Sequence, residues 1–359
     1  MVPTSAKSRF RNNNFDLLRI LSATEVLLYH SYVHLNIPVS TWFTCIQNFT
    51  GVPMFFVISG FLISASYERK PDLKNYFRNR ALRIYPALWC CIILTVFTIA
   101  IVSKVNFFNK EFVPWFLSNC MGIIYTPHFL SNFGFGSYNG SLWTIPVELQ
   151  FYILVPVVYF LTSRLTKNEV KKTRIIILLF LLFTLIAYFI LRYASSTLEK
   201  ETTFEKILRY TFVPRYFLFL LGVVFQRTKL YESRLVAGKG IFYVAAYLAF
   251  QYSVPFTPFT SIIGQLFLGL VTISLAYTLP GLAKKILKGN DISYGIYIYH
   301  GLVLGVLVEM HALNNPLYIL VVLCVACLLA YASWNLIEKP FLNKKKKPDH
   351  NKVKQPLLV

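Results

Sequence analysis

The stretch "LLRILSATEVLLYHSY", residues 17–32, is an apolar run that carries Arg19, Glu25 and His30. An ionisable group inside a membrane is energetically costly, so its presence there indicates a functional role. At about 100° per residue, a helix places Arg19 and His30 on one face, roughly 16 Å apart along its axis. Glu25 lies roughly 140° away from His30 on the same helix. The shared face therefore offers a cation at one membrane boundary and an imidazole deep in the membrane, which would suit a long ligand with a phosphate head group. The equally supported alternative is an arginine that anchors the helix and a histidine that bonds to a neighbouring span.

The rest of the chain has the composition of a membrane protein. Of its 359 residues, 56% are hydrophobic and 14% are charged, against about 25% charged in soluble domains. A membrane-spanning helix needs roughly 20 apolar residues. We place about ten such runs at 15–35, 45–66, 81–103, 141–162, 174–193, 208–227, 240–254, 261–279, 292–310 and 317–337. The sequence therefore predicts an all-α polytopic integral membrane protein with about ten transmembrane helices.

The basic residues follow these predicted spans. The chain has 36 Lys and Arg residues against 15 Asp and Glu residues, a formal net charge of +21. With the N-terminus placed in the cytoplasm, three outer connections, 36–44, 255–260 and 311–316, contain no Lys or Arg. This alternation follows the positive-inside rule and predicts that both termini are cytoplasmic. Basic inner loops also attract anionic lipid, so we expect membrane lipid and no nucleic acid among the partners.

The segment "EFVPWFLSNCMGIIY", residues 111–125, is apolar but shorter than the roughly 20 residues of a span. Counting it as a span would invert every later loop and break the charge alternation. We therefore expect a re-entrant or interfacial helix within a long outer loop. The domain organisation that follows is one membrane domain over residues 1–342 and a basic cytoplasmic tail over 343–359.

The cysteines give no indication of a metal site. The chain has six of them, mostly in apolar runs and without histidine partners at metal-ligand spacing. Buried free cysteines behave as small hydrophobic residues. We therefore expect no metal cofactor.

Two further segments carry candidate ligand-binding residues. "GVPMFFVISGFLIS", residues 51–64, puts Ser59 inside a span, where small residues allow close packing or the approach of a ligand. "YFRNRALRIYPALW", residues 76–89, puts Arg80 and Arg83 one turn apart where a helix enters the membrane. Two guanidinium groups there could bind phosphates bidentately. The same arginines would also anchor the helix, and the two roles can coexist.

"SLWTIPVELQFY", residues 141–152, contains a carboxylate at the depth of the first-helix histidine. Glu148 lies roughly seven residues below the outer surface and His30 roughly five, which differ in depth by only about 3 Å at 1.5 Å per residue. A carboxylate at that level could orient and charge a histidine base, so we predict a His30–Glu148 pair. Arg215 lies at a comparable depth and needs an acidic or carbonyl partner. His300 lies near mid-membrane, where a structural role is at least as well supported as a catalytic one.

These motifs together resemble acyltransferase family 3, the membrane O-acyltransferases related to O-antigen acetylases. "FDLLRILSATEVLLYHS" is similar to the family's first helix, whose arginine and histidine fall at Arg19 and His30. "VPMFFVISGFLIS", "RNRALRIYPALW" and "SLWTIPVELQFY" match its next three landmarks, and "ISYGIYIYH" with "NLIEKPF" resembles the closing helices. The landmarks run in family order over residues 15 to 342. Glu25 departs from the apolar residue that is usual at its position.

The resemblance implies transfer of an acyl group, usually acetyl, from a cytoplasmic acyl-CoA to a hydroxyl. The acceptor would be a cell-envelope or lipid-linked saccharide, and the location the bacterial inner membrane. Arg19, Arg80 and Arg83 would hold the phosphates of CoA. His30, supported by Glu148, would act either as a base on the sugar hydroxyl or as a transient acyl acceptor, and the sequence leaves both open. Candidate substrate contacts are Arg215, Ser59, Trp143 and His300.

Two other functions fit a polytopic chain with buried charges. A saccharide or lipid transporter or flippase could use them to line a translocation path. Such proteins often contain inverted repeats, and the sequence shows no internal repeat. The third alternative is an inactive assembly or sensor protein, against which stands the presence of Arg19, His30, Arg80, Arg83 and Glu148 together.

Overall fold

A computed structural model describes Phe10, residues 12–196, Leu208 and residues 210–343 of the chain. The basic tail predicted for 343–359 lies outside these described residues, apart from Asn343. Within the described ranges the regular structure is helical and contains no β-strand. This confirms the predicted all-α class.

The α-helices are numbered here in chain order. They are α1 (Phe15–His34), α2 (Thr41–Gln47), α3 (Gly51–Arg69), α4 (Leu73–Val102), α5 (Phe112–Cys120), α6 (Thr144–Leu165), α7 (Glu169–Ser196), α8 (Tyr216–Arg227), α9 (Gly240–Ser253), α10 (Pro258–Ala276), α11 (Leu282–Leu287), α12 (Ser293–Glu309), α13 (Leu317–Ser333) and α14 (Lys339–Asn343). The chain also forms 3₁₀ turns at His128–Leu130, Gly140–Trp143 and Leu230–Glu232 and a π-helical turn at Trp334–Glu338.

The part of the chain that the structure describes has six helical stretches long and apolar enough to cross a membrane. They are Thr41–Arg69, Leu73–Val102, Gly140–Leu165, Glu169–Ser195, Pro258–Ala276 and Leu317–Asn343. Two shorter apolar helices are Tyr216–Arg227 and Ser293–Glu309. The protein is therefore a multi-pass membrane protein, while the count of ten spans and the cytoplasmic side of both termini stay predictions.

The predicted apolar runs correspond well to the observed helices. Each run proposed as a span overlaps a helix, because a long apolar segment can satisfy its backbone in a bilayer only by forming one. The segment 111–125 contains only α5, which has nine residues. That helix is too short for a span of roughly 20 residues, as the charge alternation predicted.

Helix α3 is fixed in place by an unusually close contact with α8. A Cβ atom added at Gly60 would overlap the carbonyl oxygen of Phe219, and one added at Gly222 would overlap that of Val57. Small residues allow this approach because no side chain separates the two backbones. The contact matters for the site, since α3 lines both of the cavities described below.

Replacing Gly60 by valine is expected to destabilise the fold. The added side chain forces α3 and α8 apart, and overpacking of a tight core costs about 1–3 kcal/mol or more. The matched control is Gly264→Ala in α10, where an added Cβ would lie 3.5 Å from its nearest neighbours, an ordinary contact. Thermal unfolding in detergent measures the difference, and equal midpoints for the two variants would contradict the close α3–α8 contact.

Candidate active site

One cavity lies between α1, α3, α4, α6 and the start of α12. It encloses about 350 Å³, and its wall includes Arg19, Arg80, Arg83, Ser59 and Glu148. We call it the arginine cavity. The structure thus brings together the three arginines predicted to bind phosphate and two further predicted site residues from separate helices.

A second and larger cavity contains the histidine of the first helix. It encloses about 880 Å³, and His30, Trp143, Arg215 and Glu25 lie in its wall. We call it the histidine cavity. Amide and hydroxyl side chains make up much of the remaining lining, namely Gln47, Asn48, Thr50, Gln251, Thr260, Ser261 and Gln265. Such a mixture of aromatic, amide and charged groups can hydrogen-bond and stack against a polyhydroxylated ligand.

The two cavities adjoin. Val52 of α3 and Tyr297 of α12 line both of them. The Tyr297 hydroxyl lies 2.8 Å from the Thr144 hydroxyl, and its ring makes an edge contact with Phe55 at 5.7 Å between centroids. A ligand that extends from the arginine cavity towards His30 therefore passes this tyrosine.

A buried carboxylate joins two of the cavity's arginines. Arg83 Nη2 donates to Asp291 Oδ2 at 2.6 Å, and Arg19 Nη1 donates to the same oxygen at 3.2 Å. Ser293 donates to the other carboxylate oxygen through its backbone N–H and its hydroxyl. Arg83 also lies 3.8 Å from Glu338 in the π-helical turn. Because each guanidinium has five N–H donors, both arginines keep donors for a ligand.

Asp291 and Glu338 were not among the site residues predicted from the sequence. Asp291 lies 272 positions from Arg19 in sequence, and the pairing appears only once α1 and α12 pack together. The available signals were its place directly before the predicted span 292–310 and the glutamate inside the "NLIEKPF" motif.

Arg80 is held differently from the other two arginines. Its guanidinium carbon lies 5.9 Å from the ring centroid of Tyr76 and 5.7 Å from that of Tyr152. Its buried Nε has no hydrogen-bond partner, and no carboxylate pairs with Arg80 in the described part of the chain. A cation positioned by aromatic faces keeps its fork of donors for an anionic ligand.

The predicted pairing of His30 with Glu148 is wrong. His30 Nδ1 lies 3.0 Å from His300 Nε2, whereas Glu148 accepts a hydrogen bond from the Tyr152 hydroxyl on its own helix. Equal depth fixes only the coordinate along the membrane normal. Laterally, α1 packs against α12, so His300 and not Glu148 occupies the position beside His30. Glu148 instead faces the arginine cavity.

His300 was predicted to contact substrate, but its position does not support that role. The side chain is fully buried and lines neither cavity. Arg215 and Trp143 do line the histidine cavity, where the guanidinium carbon of Arg215 lies 4.4 Å from the Trp143 ring centroid. These two residues are therefore the better placed of the candidate substrate contacts near His30, while Ser59 belongs to the arginine cavity.

Glu25 connects the first two long helices of the chain. Its Oε2 accepts a hydrogen bond of 2.7 Å from the backbone N–H of Gly51, the first residue of α3. The first N–H groups of a helix lack intrahelical partners and favour a nearby negative charge. The buried carboxylate thus fastens α1 to the N-terminus of α3.

No group of three or more His, Cys, Asp or Glu side chains is arranged to hold a metal ion within the described part of the chain. The expectation of metal-free chemistry stays a prediction.

Comparison with known proteins identifies the family to which the chain belongs. A family model described as an acyltransferase domain matches residues 12–335. The chain is 29% identical to nodulation protein 10 of Rhizobium leguminosarum bv. viciae, over 95% of this chain and 96% of the relative. It is 28% identical to the O-acetyl transferase of Shigella phage Sf6, over 93% and 97% of the two chains.

The chain is also similar, over a shorter range, to a peptidoglycan O-acetyltransferase. The peptidoglycan O-acetyltransferase of Listeria monocytogenes serovar 1/2a is 28% identical over 49% of this chain and 29% of its own length. Solved structures give no significant match. The matched range includes all the residues that line the two cavities except Leu342. The chain therefore belongs to acyltransferase family 3, and it is an acyltransferase.

Proposed function

We propose that the protein transfers an acyl group, usually acetyl, from a cytoplasmic acyl-CoA to a hydroxyl of a cell-envelope or lipid-linked saccharide. The observation that carries the proposal is the adjacency of the two cavities. The arginine cavity suits a phosphate-bearing donor, the histidine cavity suits a polyhydroxylated acceptor, and Val52 and Tyr297 line both. The names of the phage and Listeria relatives agree with an acetyl group and, for the latter, a glycan acceptor.

In this proposal the arginine cavity binds CoA. Asp291 fixes Arg19 and Arg83, and the tyrosine rings fix Arg80, so the guanidinium donors are ordered before the ligand arrives. Preorganised forks of this kind bind phosphate bidentately. The pantetheine arm then extends past Tyr297 and brings the thioester to His30. Glu148 lies on the wall of the arginine cavity, so in this proposal it faces the donor instead of supporting His30.

His30 carries the chemistry by one of two balanced routes. As a base, its free ring nitrogen takes the hydroxyl proton while the hydroxyl oxygen bonds to the thioester carbonyl carbon. The carbon–sulfur bond breaks, and the CoA thiolate recovers the proton from His30. As an acyl acceptor, the same nitrogen bonds to the carbonyl carbon, the carbon–sulfur bond breaks, and CoA leaves as the thiolate. The hydroxyl oxygen then bonds to the acyl carbon, the carbon–nitrogen bond to His30 breaks, and the hydroxyl proton passes to the CoA thiolate. Arg215 lies near enough in the cavity wall to meet the acceptor or the oxyanion.

The topology proposed for this reaction has ten spans, both termini in the cytoplasm and the chain in the bacterial inner membrane. One membrane domain over 1–342 and a basic tail over 343–359 complete it. The positive-inside alternation supports this orientation, since it places Arg19, Arg80 and Arg83 on the cytoplasmic side where acyl-CoA is available.

Consumption of acetyl-CoA by purified protein in nanodiscs tests the proposal. We expect release of CoA thiol that requires added envelope glycan, with the acetyl group recovered on the glycan. A chain that moves glycan across a liposome membrane without consuming acetyl-CoA would be a transporter, and the proposed function would be wrong.

Arg80→Gln is expected to weaken acetyl-CoA binding by about 10- to 100-fold, because a hydrogen bond to a charged group contributes about 1.5–3 kcal/mol. The control is Arg78→Gln, on the same helix but exposed and outside both cavities. Calorimetric titration of each variant with acetyl-CoA measures the change. Equal affinities for the two variants would remove Arg80 from the donor site.

A further inference from the structure

His300 lies directly behind the proposed reactive histidine. Its Nδ1 is 3.1 Å from the carbonyl oxygen of Ile296, and its Nε2 is 3.0 Å from His30 Nδ1. The ring is fully buried and lines neither cavity, so its hydrogen bond to His30 is what connects it to the histidine cavity.

These two contacts determine where the protons are. A carbonyl oxygen only accepts hydrogen bonds, so His300 Nδ1 must carry the proton that joins it to Ile296. In the neutral ring, His300 Nε2 then bears a lone pair and accepts from His30 Nδ1–H. The remaining nitrogen of His30, Nε2, is left unprotonated on a side chain that lines the histidine cavity.

We propose that His300 is a positioning residue that fixes the reactive tautomer of His30, with the proton on Nδ1 and the lone pair on Nε2. This inference rests on the proposed function, since it assigns to His30 the nitrogen that either catalytic route requires. As positive charge develops on His30, its Nδ1–H bond to His300 strengthens and stabilises the imidazolium. No proton leaves Nδ1 in either route.

The helix that carries His300 is held in place by a hydrogen bond from a neighbouring loop. Asn139, in the loop before α6, donates to the carbonyl oxygen of Ile298 at 2.7 Å and fills the space beside Gly301. The α12 backbone on both sides of His300 is thereby held. The other ionisable groups near the pair are Tyr29, His34 and Tyr297, with Glu25 and Arg215 on the wall of the histidine cavity.

Two substitutions of similar polarity separate positioning from packing. In His300→Gln, the amide oxygen can occupy the place of Nε2 and accept from His30 Nδ1. In His300→Asn, the amide reaches only the place of Nδ1, so the acceptor for His30 is lost. We expect His300→Asn to lower kcat on the order of 10²-fold with KM for acetyl-CoA unchanged, and His300→Gln to restore most of it. Equal activity of the two variants at matched folded levels would overturn the proposal.

Solid-state NMR of histidine-¹⁵N-labelled wild-type protein in liposomes tests the tautomer without any activity measurement. A His30→Gln sample identifies the His30 signals by their loss. We expect Nδ1 of His30 to be protonated and Nε2 to be unprotonated, and the reverse assignment would overturn the proposal. If glycan acylation failed while this tautomer was found, the proposed function would be wrong and the His300 contact would stand.

Discussion

His30→Gln is expected to reduce acyl transfer on the order of 10³-fold, within the range of 10²–10⁴ that a positioned base contributes. Glutamine keeps a polar side chain of similar length, but its amide neither takes up the hydroxyl proton nor forms an acyl-imidazole. Binding of acetyl-CoA should remain, because the phosphate-binding arginines lie in the neighbouring cavity. CoA thiol release and acetyl-CoA titration on the same preparation separate the two effects.

The matched control is His34→Gln, one helical turn further along α1. The His34 ring stacks on Phe135 at 3.9 Å between centroids and lines neither cavity. We expect this variant to retain activity within a few-fold of wild type. If His30→Gln matched it, the reactive role of His30 would be wrong.

Asp291→Asn is expected to lower the free energy of unfolding by about 3–5 kcal/mol, the usual cost of removing one partner from a buried ion pair. The Asp291 side chain is 9% exposed and accepts from both Arg19 and Arg83. Asparagine fills the same space but leaves the two guanidinium groups without that countercharge. Thermal or denaturant unfolding in detergent measures the loss, and acetyl-CoA binding should weaken with it because the arginines lose their fixed positions.

Asp16→Asn provides the control. Asp16 lies 3.9 Å from Arg19, but its side chain is 54% exposed, and exposed pairs contribute about 0–1 kcal/mol. If both asparagine variants unfolded like the wild type, the buried carboxylate would not organise the arginine cavity.

The pH dependence of stability follows from the same carboxylate. Burial raises the pKa of Asp291, but the charges of Arg83 and Arg19 outweigh this and hold the pKa below its ordinary value. A lowered native pKa means that the ion pairs contribute fully above the unfolded pKa and are lost as the pH falls through the native pKa. The stability difference between wild type and Asp291→Asn should therefore be large at pH 7 and shrink under strongly acidic conditions.

Hydropathy predicted the helices because a bilayer leaves an apolar segment few alternatives to forming one. The short helix at 111–125 was identified by charge, since treating it as a span would have reversed the later loops. The exact ends of the helices were harder to predict from the sequence. Predicted run 208–227 becomes the helix Tyr216–Arg227, with Arg215 just before it, because hydropathy does not register where a helix begins.

The site was predictable where it depended on local geometry. Arg80 and Arg83 share a helix one turn apart, and the arginine at 19 reaches the same cavity, as expected from its place at the membrane boundary. Contacts between distant segments were not predictable in this way. Depth placed Glu148 level with His30, but lateral packing of α1 on α12 gave the histidine a different partner.

Mass spectrometry of cell-envelope glycans is the most direct test of the account. Cells would express either the wild-type protein or His30→Ala at matched membrane levels, in a host whose own glycan is acylated by the wild type. The account predicts an added acyl mass, about 42 Da for each acetyl group, that is present with wild type and absent with His30→Ala. The same acyl mass in both samples would contradict transfer at His30.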